Sequence, residues 1–91
     1  MEDGSYSYAD FEDGKKDGKE IGFYQNGNAH YEYYYKDDKK EGKGIGFHGN
    51  GNTEFVAYYK DGKQEGQEIG FYRNGNKYYE YYYKDGKKEG K

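Results

Sequence analysis

A 24-residue period organises this 91-residue chain. The motif Ile-Gly-Phe begins at Ile21, Ile45 and Ile69, so that successive copies are 24 residues apart. The period divides the sequence into full units at 14–37, 38–61 and 62–85, of which the first and third agree at 18 of 24 positions. Residues 86–91 begin a fourth unit, and residues 1–13 resemble the degenerate end of a preceding one. Such a repeat predicts a single domain, 1–91, of stacked supersecondary units.

Each unit carries two turn signals between short aromatic segments. Asn-Gly, first found at residues 26–27, favours a two-residue hairpin loop because both residues tolerate positive φ. The second signal, Asp-Gly with another Gly four residues later, favours a longer turn. Apolar residues show no helical spacing, and strands are expected near residues 5–11, 19–24, 30–36, 43–48, 54–60, 67–72 and 78–84. The predicted fold is all-β: a single-layer antiparallel meander of 24-residue β-hairpins, twisted or curled and solenoid-like.

The hairpin register gives the recurring glycines a packing role. A two-residue loop at 26–27 places Tyr24 opposite Ala29 and Gly22 opposite Tyr31. A ring can then lie flat over the bare glycine backbone. The equivalent pairs in the later units are Gly46 with Phe55 and Gly70 with Tyr79.

Alternation along the strands assigns the aromatic side chains to two faces. One face, hereafter the tyrosine face, is the candidate binding surface and is predicted to carry Tyr24, Tyr31, Tyr33, Tyr35, Phe55, Tyr59, Tyr72, Tyr79, Tyr81 and Tyr83. The opposite face is predicted to carry Ile21, Phe23, Tyr34, Ile45, Phe47, Tyr58, Ile69, Phe71 and Tyr82, mixed with His30, Glu32, Glu54 and Glu80. We expect one face to be concave and lined by the tyrosines, and the alternation leaves open which face curls inward.

Composition supports folding but excludes several classes of partner. Aromatic residues make up 22% of the chain and aliphatic residues are few, so the rings must supply the core. The net charge of −3 comes from interspersed acidic and basic residues, which argues against nucleic-acid binding. No apolar run is long enough to span a membrane, and no secretory signal is evident, so a cytoplasmic location is expected.

The residues that catalysis or metal binding would need do not form a recognisable set. Gly44–Gly49 reads GIGFHG and fits GxGxxG, but that phosphate-binding fingerprint requires a following helix. His30 and His48 occupy non-equivalent positions, and no cysteine is present to complete a zinc site. Glu32 and Glu80 are repeat equivalents, unlike the two carboxylates of a glycosidase, which need different environments. We therefore predict no catalytic residue, no metal and no cofactor.

The stretch YKDGKKEG followed by GFYxNGNxxYE resembles the MORN repeat family, and most closely a bacterial variant found in antitoxin-like tandem arrays. Phe55, Ala57, Tyr59, Gly62, Gly66 and Gly75 occupy the family frame, as do Tyr31, Tyr33, Tyr35, Gly42, Gly44 and Gly51. The chain departs from it where Tyr33, Ala57 and Tyr81 replace a typical Gly, and its unit is one residue longer than usual. The resemblance implies an elongated hairpin array that serves as an interaction scaffold, sometimes dimeric, and it implies no catalytic residues.

Three classes of function follow from these observations. The leading one is a non-enzymatic module that binds another protein, or a second copy of itself, through the tyrosine face or the edge strands. A glycan-binding or cell-surface module is the second, because regularly spaced rings can stack on sugars. A toxin-neutralising, immunity-like protein is the third, and it depends on the family resemblance alone. The alternative for the rings themselves is that they form only the core of a thin sheet.

Overall fold

The computed structural model describes residues 6–89, which form one antiparallel sheet. Its strands are β1 (Tyr6–Glu12), β2 (Lys15–Phe23), β3 (Ala29–Lys36), β4 (Lys39–Lys40), β5 (Gly42–Phe47), β6 (Thr53–Lys60), β7 (Lys63–Gln64), β8 (Gly66–Phe71), β9 (Lys77–Lys84) and β10 (Lys87–Glu89). The hydrogen-bonded order is β1-β2-β3-β5-β6-β8-β9-β10, with β4 on β3 and β7 on β6. The all-β meander predicted from the sequence is confirmed.

The sheet is a thin layer with two free edges. Its principal-axis extents are 38 × 35 × 18 Å. Within residues 6–89 no helix is present, and so none that is long and apolar enough to cross a membrane. Residue 5 of the predicted first strand lies outside the described residues. So do residues 90–91 of the fourth unit.

The two-residue loops are at the Asp-Gly positions, so the longer turn predicted there is wrong. Lys60 pairs with Lys63, and the intervening Asp61 and Gly62 have φ of 52° and 84°. Positive φ at both central residues is the conformation of a type I′ turn, whose twist matches that of the flanking strands. Asp13-Gly14, Asp37-Asp38 and Asp85-Gly86 likewise have positive φ at both positions.

In the second and third units, the later Gly of the turn signal belongs to an irregularity inside the strand. Gly42 and Gly66 have φ of 85° and 93° and stand just after the breaks between β4 and β5 and between β7 and β8. Positive φ in a strand is accessible to Gly at little cost, and it produces a bulge. The structure therefore has ten strands where seven were predicted, because two strands are interrupted and β10 starts the fourth unit.

The Asn-Gly loops contain three residues, so the predicted two-residue loop is also wrong. The Gly27 N–H donates to the Tyr24 carbonyl at 3.0 Å, and the Tyr24 N–H donates to the Asn28 carbonyl at 2.8 Å. Gly27 has φ of 93°, and Asn26 is not among the residues of positive φ. The Asn26 side-chain oxygen instead accepts the Asn28 N–H at 2.9 Å. This local bond stabilises a turn in which Asn26 need not be left-handed.

A bulge restores the register that the longer loop displaces. Phe23, and not Tyr24, pairs with Ala29, and the register then shifts so that Gly22 pairs with Tyr31. His30 is the extra residue at this shift, and Glu54 and Tyr78 occupy the same place in the next two hairpins. The predicted Gly22–Tyr31, Gly46–Phe55 and Gly70–Tyr79 pairs are therefore confirmed, although the loop that was expected to produce them is different.

Candidate functional site

Glycines hold the aromatic rings of the tyrosine face flat against the sheet. A Cβ built on Gly22 would lie 2.2 Å from a Tyr31 ring atom, one on Gly46 would lie 2.2 Å from Phe55, and one on Gly70 would lie 2.0 Å from Tyr79. These distances are far below a van der Waals contact, so each ring occupies the space that a side chain would need. One ring per unit is thus fixed directly over the backbone of its neighbouring strand.

The centre of the tyrosine face is its best-packed region. Ala57, which is 1% exposed, pairs with Gly44, and the two small residues leave room for Tyr33 and Tyr59. These two rings meet edge to face with centroids 5.9 Å apart. A Cβ on Gly44 would lie 2.6 Å from the Tyr33 ring and 3.3 Å from that of Tyr59. The two rings therefore pack over the buried Ala57 and the bare backbone of Gly44.

A lysine covers this central pair from the solvent side. The Lys40 Nζ lies 3.9 Å from the Tyr33 ring centroid and 5.1 Å from that of Tyr59, within the range of cation–π attraction. Burial raises the pKa of Tyr59 to about 12 and lowers the pKa of Lys40. Both shifts favour the neutral form of the group, as desolvation does.

Two carboxylates organise the rings on either side of the centre. Glu20, which is 8% exposed, accepts hydrogen bonds from the Tyr31 hydroxyl at 3.1 Å and the Lys16 Nζ at 2.8 Å. Burial acts to raise the pKa of Glu20, but these hydrogen bonds outweigh it and hold the pKa below its ordinary value. In the third unit, Glu68 accepts from the Tyr79 hydroxyl at 2.7 Å and from the Gln64 amide at 2.5 Å. Burial and the bond to Glu68 raise the pKa of Tyr79.

The middle unit lacks both members of this carboxylate–hydroxyl pair. Gly44 stands where the other units have Glu20 and Glu68, and Phe55 stands where they have a tyrosine. Loss of the acceptor and loss of the donor go together, so neither group is left without its partner. The space of the missing carboxylate is the one that Tyr33 occupies.

The three-residue loops connect each unit to the next. The Tyr24 hydroxyl donates to the Phe47 carbonyl at 2.6 Å, and the Asn28 amide donates to the Gly49 carbonyl at 2.9 Å. Asn52 repeats this contact one unit later, donating to the Arg73 carbonyl at 2.7 Å. The Asp-Gly turns stack in a similar way, because the Gly62 N–H donates to the Lys40 carbonyl at 2.9 Å. These hydrogen bonds between successive units, hereafter the clasps, therefore join the array at both rims of the sheet, the Asn-Gly loops and the Asp-Gly turns.

A second set of aromatic pairs lies at the loop end of the tyrosine face. The His30 ring stacks on Tyr24 at 4.2 Å and meets Tyr31 edge-on at 5.4 Å, and the Tyr78 ring packs on Tyr72 at 4.6 Å. The placement of His30 on the opposite face is thus wrong, because its position in the bulge turns it toward Tyr31. Glu54 shares the bulge position and lines a cavity with Phe55 and Tyr79, so its predicted face is wrong for the same reason.

Most of the predicted binding residues are partly buried by their own sheet. Tyr72 and Tyr81 are the exposed ones, at 50% and 38%. The other eight are intermediate in exposure: Tyr24, Tyr31, Tyr33, Tyr35, Phe55, Tyr59, Tyr79 and Tyr83. The structure brings all ten to one side of the sheet, but only its C-terminal part offers open ring surface.

The lysines that lie over aromatic rings were missed by sequence reasoning. Lysines at equivalent positions cover rings: besides Lys40, the Lys16 Nζ lies 4.8 Å from the Tyr35 ring centroid and the Lys88 Nζ lies 3.8 Å from that of Tyr81. Each of these lysines directly follows one of the turn lysines at 15, 39 and 87. This recurrence was the signal in the sequence that could have identified them. On the opposite face, the three tyrosines that the alternation predicts there, Tyr34, Tyr58 and Tyr82, recur once per unit and are each about 40% exposed.

The motifs weighed for catalysis or ligand binding have structural roles here. Gly44 and Gly46 of the GIGFHG stretch lie beneath aromatic rings, and the stretch leads from β5 into a hairpin loop. The His48 Nε2 lies 2.8 Å from the Phe71 carbonyl, where it joins the second unit to the third. Within the described part of the chain, no group of three or more metal-ligating side chains is present.

Comparisons with known proteins add no family to this description. No family model matches the chain, and none of the curated proteins matches it.

Proposed function

We propose that this chain is a non-enzymatic, MORN-like repeat module that binds another protein through its tyrosine face. The observation that carries the proposal is the packing of the rings: they lie over glycines, against each other and beneath lysines. Tyrosine presents a large contact area with few rotatable bonds and a hydroxyl for polar partners. Rings already fixed in place lose little further freedom on binding.

The contact is centred on Tyr81 in the third unit. Tyr81 is the repeat equivalent of Tyr33, but it is 38% exposed, whereas Tyr33 packs into the centre over Gly44. Its ring stacks on Tyr79 with centroids 4.9 Å apart, and the Lys88 Nζ lies 3.8 Å from its centroid. A tyrosine that is fixed in place and becomes buried by a partner is typical of the residues that dominate binding energy at interfaces. The partner is a second protein or another copy of this chain.

Neighbouring tyrosines on opposite faces give a matched test. We expect Tyr81→Ala to weaken partner capture from host lysate, and Tyr82→Ala, which removes an equally exposed ring from the opposite face, to leave it unchanged. Sedimentation of the purified chain distinguishes self-association from a second protein, and the identity of the captured protein tests the toxin-neutralising alternative. Equal retention by both variants would contradict the tyrosine face as the binding surface.

A further inference from the structure

A cavity of about 510 Å³ opens at the loop end of the tyrosine face, between the second and third units. Its size lies within the range of small-molecule sites, roughly 300–1,000 Å³. The side chains of Phe55, Tyr72, Tyr78 and Tyr79 give it aromatic walls, and Glu54, Arg73 and Asn74 contribute polar groups.

The cavity exists because the second unit lacks an aromatic pair. In the first unit this position holds the stacked rings of Tyr24 and His30, and in the third unit it holds Tyr72 and Tyr78. The second unit has His48 and Glu54 instead. The imidazole of His48 is held by the Phe71 carbonyl at 2.8 Å, and the place of the second ring is taken by a carboxylate. Because Glu54 replaces the ring that His30 and Tyr78 supply in the other units, a gap remains there, and aromatic rings border it.

The polar groups of the cavity retain unused hydrogen-bonding capacity. Among residues 6–89, the side chains of Glu54 and Arg73 make no hydrogen bond or ion pair. Glu54 offers acceptors, whereas Arg73 offers a planar set of donors. The two opposite charges disfavour a cationic ligand near Arg73 and an anionic ligand near Glu54.

We propose that this cavity binds a neutral sugar ring of the pyranose type. A pyranose has an apolar face of C–H groups, which suits the negative face of an aromatic ring, and a rim of hydroxyls that both donate and accept. Tyr72 and Tyr78 would stack on the apolar face, while Glu54 and Arg73 would hydrogen-bond the rim. The site shares Tyr79 with the tyrosine face that the proposed function uses, but Tyr81, the centre of that protein contact, does not line the cavity.

The test uses the full chain and three probes, the methyl β-pyranosides of glucose, galactose and mannose. We expect saturation-transfer NMR to show transfer from the protein to at least one of them. The double variant His48→Tyr/Glu54→His copies the Tyr24–His30 pair of the first unit into the second and fills the gap. It should lower the affinity at least about tenfold, which corresponds to about 1.4 kcal/mol.

Two further variants distinguish the site from a general effect on the sheet. Tyr78→Ala removes a wall and should weaken binding, whereas Tyr82→Ala, on the opposite face, should leave it unchanged. Circular dichroism confirms that each variant is folded. Tetramethylammonium is the control probe, since aromatic walls alone can bind a cation. Absence of transfer to all three glycosides, unchanged transfer in the double variant, or binding of this cation without any glycoside would overturn the sugar site. Each of these results leaves the protein contact at Tyr81 untouched, so the two proposals fail separately.

Discussion

The ring of Tyr33 occupies the place of a side chain at Gly44: a Cβ there would lie 2.6 Å from the ring. This relationship links two units, since Tyr33 belongs to the first and Gly44 to the second. It also shows how a chain with few aliphatic residues forms a core, because a single layer buries its rings against its own backbone. The rings thus take the role that a second layer has in most domains.

Gly46→Ala should destabilise the sheet by about 1–3 kcal/mol, the usual cost of overpacking. The new methyl group would lie 2.2 Å from the Phe55 ring, which must then leave its position. Thermal unfolding should show a loss of about 4–8 °C per kcal/mol for a domain of this size. Gly49→Ala is the matched control, because nothing lies within 4 Å of the point that a Cβ would occupy there and its φ is not positive. Equal effects of both changes would contradict the packing role of Gly46.

Glu68 and Tyr79 should be energetically coupled. Their hydrogen bond is 2.7 Å long; Tyr79→Phe removes its donor, and Glu68→Gln replaces its charged acceptor by a neutral amide oxygen. We expect a coupling free energy of about 0.5–3 kcal/mol from a double-mutant cycle in urea. The cycle of Glu68→Gln with Tyr82→Phe, whose ring is on the opposite face, should be additive. Additivity in both cycles would contradict the energetic coupling of Glu68 and Tyr79.

Alkaline pH should destabilise the fold partly through Tyr59. Burial raises the pKa of Tyr59 from 10.0 to about 12 in the folded protein. The unfolded chain therefore releases this proton at lower pH than the folded one, and the stabilisation is complete below pH 10 and lost as the pH rises to about 12. Urea unfolding at a series of pH values should show a steeper loss in the wild type than in Tyr59→Phe. Parallel curves would exclude this contribution.

The loop asparagines should differ in importance according to their position in the array. Asn52 donates its side-chain amide to the Arg73 carbonyl at 2.7 Å, whereas the Asn76 amide has no acceptor among residues 6–89. Asn52→Ala should therefore reduce the free energy of unfolding by about 0.5–1.5 kcal/mol, the net value of one hydrogen bond. Asn76→Ala should have a clearly smaller effect, and chemical denaturation compares the two. A larger loss for Asn76→Ala would contradict the clasp between units.

The features that recur in all three units could be predicted from the sequence. The period, the hairpin meander and the Gly22–Tyr31 pairing all follow from where Gly and aromatic residues recur. The pairing was right although the loop was wrong, because the third loop residue is compensated by the bulge at His30. The three-residue loop is stabilised by the Asn26 side-chain oxygen, which accepts the Asn28 N–H. The rule that Asn-Gly forms a two-residue loop considers only the backbone and does not include this side-chain bond.

The features that differ between units could not be predicted. The central packing of Tyr33 and Tyr59 depends on Gly44 and Ala57, which look like ordinary departures from the repeat until the strands are paired. The cavity depends on Glu54, whose face the strict alternation assigned wrongly, since a bulge interrupts that alternation. Both sites arise in the looser middle unit, where Gly44, His48, Glu54 and Ala57 differ from their equivalents in the other two units.

The clasps at the two rims determine which changes of length the array can accept. Each clasp joins positions that are separated by close to one unit, as Asn28 and Gly49 or Lys40 and Gly62 are. An inserted segment of one whole unit would supply both halves of every new clasp and leave the existing faces unchanged. A segment one residue shorter would shift the register of one strand by one residue. The side chains of that strand would then exchange faces, and its rings would lie on the opposite face of the sheet. Growth of such a protein by duplication is thus restricted to whole units, and a deletion of one residue in a strand would be more damaging than the loss of an entire hairpin.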